Sequence, residues 1–213
     1  MIPRALRPSQ VWLGRLAAAR GRAADKSGAA AVEFALLLPV MITLFFGVVE
    51  TSLALLCRAD VSYMASTAAD LISQVNTATT ADVNNVYSAA GTILYPYYDP
   101  SVGGSAKPTI RITSIKDDGS GAAGKSHLTG TVAWTCTQAG SGTLTFSTPV
   151  VGGSATLPQP IMTNGGSVII AEVAYNYVSP TTKVITGNLN MTNSFYTKPR
   201  RILQIAAPVG GCP

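Results

Sequence analysis

The chain has 213 residues, 47% hydrophobic and 12% charged, with a formal net charge of +5. Arg4, Arg7, Arg15, Arg20, Arg22 and Lys26 precede Gly28 against Asp25 alone, and the remainder of the chain balances to zero. A net positive charge confined to a leading arm argues against nucleic-acid binding, which needs cations clustered on the folded part.

Residues 34–49, "FALLLPVMITLFFGVV", carry no charge; Glu50 follows, and "TSLALLC" continues the apolar run to Cys57. As a helix, residues 34–57 extend about 36 Å, enough for a hydrocarbon core of about 30 Å. Basic residues immediately upstream predict one span with a cytoplasmic N-terminus and an exported C-terminal part. A cleaved secretory signal would instead use the small residues Ser52 and Ala54 and release a chain starting at Leu55. The length of the apolar run and the charge at Glu50 oppose that fate. A lipoprotein signal at Cys57 is opposed by the bulk of Leu56. The expected division is a basic cytoplasmic leader (1–28), a transmembrane helix (29–57) and an exported α+β domain (58–213).

Two carboxylates bracket the span. An ionised carboxylate near the bilayer interior costs about 2.5–3.5 kcal/mol, so Glu33 needs a partner unless it reaches the interface. Glu50, about 25 Å further along a helix and on another face, approaches the opposite interface. It has two candidate partners there, a basic group on another subunit or headgroup water. Pro39 removes one helix hydrogen bond inside the span, which is tolerable when neighbours compensate.

Helical spacing persists past the span through Val61, Met64, Ala65, Ala68, Leu71, Ile72 and Val75, predicting one helix over about 30–75. A second helix is expected from Thr80, with Val83, Val86, Tyr87, Ala90, Ile93 and Leu94 inward and "YPYYDP" ending it. Beyond residue 100 the period becomes two. Residues 109–115, 127–136, 142–148, 167–177 and parts of 184–196 read as strands, and 151–160 as a loop. In 167–177, Ile169, Ala171, Val173, Tyr175 and Tyr177 share one face, and Glu172 and Asn176 the other. The expected fold is α+β: a long N-terminal transmembrane helix continuing into an exported domain with a second helix and an antiparallel sheet.

Catalytic patterns are sparse. "GSGAAGKS", residues 119–126, fits G-x-x-x-x-G-K-[ST], but a phosphate loop must open into a helix, and "HLTGTVAWTC" follows. A glycine-rich hairpin loop accounts for it better. His127 is the only histidine, so no site with several histidines can form within one chain, and a strand start suits it better than a general base. Asp117 and Asp118 lack the spacing of a calcium loop and read as a solvated turn. No catalytic residue, metal ligand or cofactor is assigned, and the chain is not expected to be an enzyme.

"Gly28-Ala-Ala-Ala-Val-Glu33-Phe34", after a basic arm and before a long apolar helix, resembles a type IV prepilin processing site. The longer string "AVEFALLLPVMITLFFGVVE", with Pro39, Gly47 and Glu50, resembles the TadE-like pseudopilins of tight-adherence (Flp) pili. "VIIAEVAYNYVSP" and residues 198–201, "KPRR", resemble the ends of such proteins more loosely. The resemblance implies cleavage between Gly28 and Ala29 by a prepilin peptidase. It also implies a new α-amine on Ala29, able to pair with Glu33 of a neighbouring subunit and fix axial register. Glu33, Phe34 and Glu50 are then assembly residues. Implied partners are other pilins or pseudopilins and the inner-membrane assembly platform, with the C-terminal domain periplasmic. A membrane-anchored envelope-binding module with no filament role is the alternative, and a secreted protein a third. In an oxidising periplasm Cys136 and Cys212 are expected to pair, clipping the C-terminus to the "AWTC" strand.

Overall fold

The computed structural model describes residues 27–99, 107–122, 124–146 and 149–213, so the basic arm up to residue 26 lies outside the described residues. The chain divides into two compact units, Met1–Val48 and Val49–Pro213.

Helix α1, Ser27–Ser73, runs unbroken through Pro39 and passes from the first unit into the second. In the second unit its inward face carries Ala54, Cys57, Val61, Met64, Ala65, Ala68, Ala69 and Ile72, all buried. This is the three- and four-residue spacing of the sequence, and the small alanines let the helix approach its neighbours closely. Helix α2, Thr80–Gly91, starts at a reciprocal cap in which the Thr79 hydroxyl accepts from the Asp82 N–H at 3.1 Å. In return the Asp82 carboxylate accepts from the Thr79 N–H at 3.0 Å. A short 3-10 turn, Thr92–Leu94, follows, and the chain leaves through a cis Tyr95–Pro96 bond.

Five strands, β1 (Thr109–Lys116), β2 (Thr129–Gln138), β3 (Ser154–Thr156), β4 (Ser167–Val178) and β5 (Asn188–Thr197), form one curled antiparallel sheet in the order β3-β2-β1-β4-β5. The fold is α+β, as expected. A register shift at Ser114/Ile115 marks an irregularity between β1 and β2. Ile169, Ala171, Val173, Tyr175 and Tyr177 of β4 join Ile110, Ile112, Trp134 and Cys136 in the same core as the two helices. The opposite face holds a smaller core of Ile115, Leu157, Met162 and Val168.

The strand expected over 142–148 is not found among the described residues, and 147–148 lie outside them. Residues 142–146 are irregular, while β3 arises in the stretch read as a loop. Gly142 lies so close to β4 that a Cβ there would sit 2.1 Å from the Ala174 carbonyl carbon. The Thr143 N–H goes to the Asn190 side chain at 3.0 Å. The segment therefore crosses the sheet instead of joining its edge, and its alternating threonines bond to side chains.

Beneath that crossing, Arg111 and Glu172 face each other across β1 and β4, Nε to Oε2 at 2.5 Å, with side chains 4% and 8% exposed. Glu172→Gln is expected to cost about 3–5 kcal/mol because it removes the counter-charge of a buried guanidinium, whereas the double variant Arg111→Met, Glu172→Leu regains most of that loss. Urea unfolding midpoints check this, and an equal loss in both variants would contradict it.

The C-terminal segment laces the elements together. The Arg200 N–H donates to the Ser73 carbonyl at 2.9 Å, and the Arg200 guanidinium pairs with Asp70. Trp134 Nε1 donates to the Ile205 carbonyl at 2.9 Å. Val209 bridges to Thr79, and Cys136 and Cys212 form a disulfide. Cys57 is free and buried.

Candidate functional site

In the first unit α1 is apolar from Phe34 to Val48, and among the described residues nothing covers it. Val32, Phe34, Leu36, Leu37, Val40, Met41, Leu44, Phe45 and Val48 are all more than half exposed. Each such side chain forgoes roughly 1.5–3 kcal/mol of burial if left in water, so this stretch needs an apolar environment. Gly28–Ser73 is the one described helix long and apolar enough to cross a membrane, and it fits a single-pass anchor. Gly28 and Ala29 sit exposed in its first turn. Glu33, one turn on, is exposed too, and among the described residues its carboxylate has no hydrogen bond or ion pair within the chain.

Glu50 stands in a different setting. It is fully buried, in the second unit, under the loop that joins β4 to β5. Oε1 accepts from the Thr181 hydroxyl and from the Lys183 N–H at 2.7 Å. Oε2 accepts from the N–H groups of Val184 at 3.0 Å and Ile185 at 2.5 Å. Three successive backbone N–H groups turned inward make an anion-binding nest, and four donors match the acceptor capacity of a carboxylate. The loop takes this shape through Pro180 and two positive-φ residues, Thr182 at 48° and Gly187 at 109°. The acceptor and its donors are separated by up to 135 residues in the chain, so local spacing carried no sign of the pairing.

The turn between β1 and β2 gathers the remaining titratable side chains singled out from sequence. Asp117 Oδ2 accepts from the Gly165 N–H at 2.7 Å and Oδ1 from the Gly119 N–H at 3.0 Å. His127 Nε2 lies 2.9 Å from Asp117 Oδ1 and 3.8 Å from an Asp118 oxygen. The ring packs so tightly on Gly121 that a Cβ there would fall 2.2 Å from Nδ1. One ligand atom from each of the three residues lies within 4.8 Å of the others, a donor set of the kind that holds a divalent ion. In the protein as described, these oxygens already bind backbone amides and tie the turn to the loop before β4. The described residues of 119–126, all but 123, lie in this turn, which runs into β2 instead of a helix, and Gly119 and Gly124 supply its positive φ values of 76° and 75°.

The N–H groups of Gly165 and Gly119 hold the Asp117 carboxyl below its ordinary range. Its contribution to stability is therefore full above the unfolded value of about 3.9 and is lost as pH falls through the lower folded value. Asp117→Asn is expected to lower Tm by a few degrees at pH 7. The gap from the unchanged protein should close under strong acid, as melting curves across pH would record.

A cleft of about 580 Å³ on the far face of the sheet is lined by Thr113, Phe146, Ile170, Glu172 and Tyr196 among others, and its one carboxylate, Glu172, is committed to Arg111. Between α1 and β5 lies a second cleft of about 460 Å³, lined by Leu55, Arg58, Leu189 and Met191 among others.

These features define a class: an α+β domain whose first helix continues as an apolar segment fit for single-pass anchorage. The family model for TadE-like proteins matches residues 28–70, a stretch that coincides with α1 almost end to end. That match contains Gly28, Ala29, Glu33, Phe34 and Glu50, but neither the loop that holds Glu50 nor the disulfide. No curated protein and no solved structure matches the chain.

Proposed function

We propose that this protein is a minor pseudopilin, a structural or priming component of a tight-adherence pilus or a related secretion machine. It is anchored in the bacterial inner membrane with its basic arm cytoplasmic and its sheet domain periplasmic. The observation that carries this reading is the coincidence of the TadE-like match with a helix whose first part exposes apolar side chains from Val32 to Val48.

A prepilin peptidase would cut after Gly28, and the α-amine of Ala29 would then lie one turn from Glu33. In a bundle of such helices, Glu33 of one subunit meets the amine of the next and sets their axial register. Phe34 packs beside it, and the other pilins and the inner-membrane platform are the remaining partners. Glu50 has a different role here: it holds the sheet domain to the helix at the membrane exit. The lipid-facing segment then begins at residue 29 and ends near residue 49 on the face that carries Glu50.

Glu33→Gln keeps the size of the side chain and removes its charge. Expressed in native cells, it is expected to leave insertion intact and to cut filament yield at least about tenfold, since the neighbour's amine is left buried without its counter-charge. Normal filament yield and normal maturation would overturn the assignment.

A further inference from the structure

The exposed apolar surface does not stop where Glu50 becomes covered. On the outward side of α1, Leu55 and Leu56 are 60% and 59% exposed. Close by, at the β4–β5 end of the sheet, Val178, Val184 and Leu189 are 53%, 46% and 40% exposed. These residues belong to one end of the fold, because the N–H groups of residues 183–185 bind Glu50 and Val178 pairs with Asn188. Leu55, Arg58 and Leu189 line one cleft. Two exposed cations, Arg58 and Lys183, flank the patch, and residues 51–59 and 178–193 contain no acidic residue.

We propose that the tip of the β4–β5 hairpin, together with the outward face of α1 at residues 55–58, seats in the headgroup region of a lipid bilayer, where Arg58 and Lys183 meet anionic phosphates. Leu55 lies about 7.5 Å beyond Glu50 along the helix, comparable to the roughly 5–7.5 Å headgroup layer on each side of the hydrocarbon core. At that depth water is scarce. A carboxylate satisfied by three backbone amides and a hydroxyl suits such a place better than one that relies on solvent. Cations at its edge add attraction to anionic lipid. This inference rests on the reading that α1 crosses the membrane.

The test uses the full chain in nanodiscs of phosphatidylcholine with and without phosphatidylglycerol. A fluorophore is placed at Val184→Cys, Phe45→Cys or Leu203→Cys, and headgroup-proximal spin-labelled lipid acts as quencher. Leu203 is a suitable reference, being 72% exposed and bonded to Ser167, the start of β4. That end lies about 35 Å along the strand from Val178. Quenching at 184 is expected to exceed that at 203 at least twofold, and to fall when Arg58→Gln and Lys183→Gln are combined in anionic discs. Strong quenching at 45 with equal quenching at 184 and 203 would overturn the proposal while leaving the anchor intact; protection of the 184 probe inside filaments would then assign the patch to a neighbouring subunit. Absence of quenching at 45 would overturn both.

Discussion

Glu50→Ala is expected to release the β4–β5 loop: the amides of Lys183, Val184 and Ile185 should exchange with solvent at least about a hundredfold faster, and the loop should become open to proteolysis. Those N–H groups lose the acceptor that holds them once the carboxylate is gone, and the loop must open to water to satisfy them again. Glu50→Gln tests the charge. Its amide nitrogen would face donors where an acceptor is required, so it should behave closer to alanine than its size suggests. Thr181→Ala removes one donor of four and should have a distinctly milder effect. Hydrogen exchange followed by mass spectrometry resolves the three cases. Unchanged protection in Glu50→Ala would mean that the loop is held by packing alone.

Cys212→Ser is expected to be the most destabilising single change at the C-terminus. The bridge closes a loop with a sequence separation of 76 residues, and its cysteines are 5.3 Å apart at Cα. The chain-entropy model gives about 4–5 kcal/mol for such a loop, which corresponds to a fall in Tm of about 10–15 °C for a domain of this size. The tail beyond Arg200 should also loosen at its end, although Trp134 still holds the Ile205 carbonyl and Val209 still bonds to Ala78 and Thr80. Calorimetry with and without reductant measures this directly. A reduced protein that melts with the oxidised one would refute it.

Much of the fold was legible because its determinants are local. The inward series Val61, Met64, Ala65, Ala68, Ile72 places α1, the series Val83, Val86, Tyr87, Ala90 and Leu94 places α2, and the alternation through Ile169, Ala171, Val173, Tyr175 and Tyr177 gives β4 with its correct faces. The disulfide was legible from compartment and cysteine number. Residues 142–146 were misread because alternating threonines look alike whether they bond to a neighbouring strand or to side chains across a sheet. What the sequence withheld was the partner of Glu50. Its position announced a costly carboxylate, but the nest that receives it is made of backbone amides, which leave no mark in residue type. Glu33 remains the opposite case: its spacing from Gly28 is the visible feature, and its proposed partner belongs to another copy of the chain.

The central claim is that α1 is the processed anchor of a pilus-assembly protein. Intact mass of the protein isolated from native cells tests it most directly. A mature chain beginning at Ala29 is the predicted result. A chain beginning at Leu55, or anywhere else past Glu50, would mean that α1 is discarded as a secretion signal and would contradict the account.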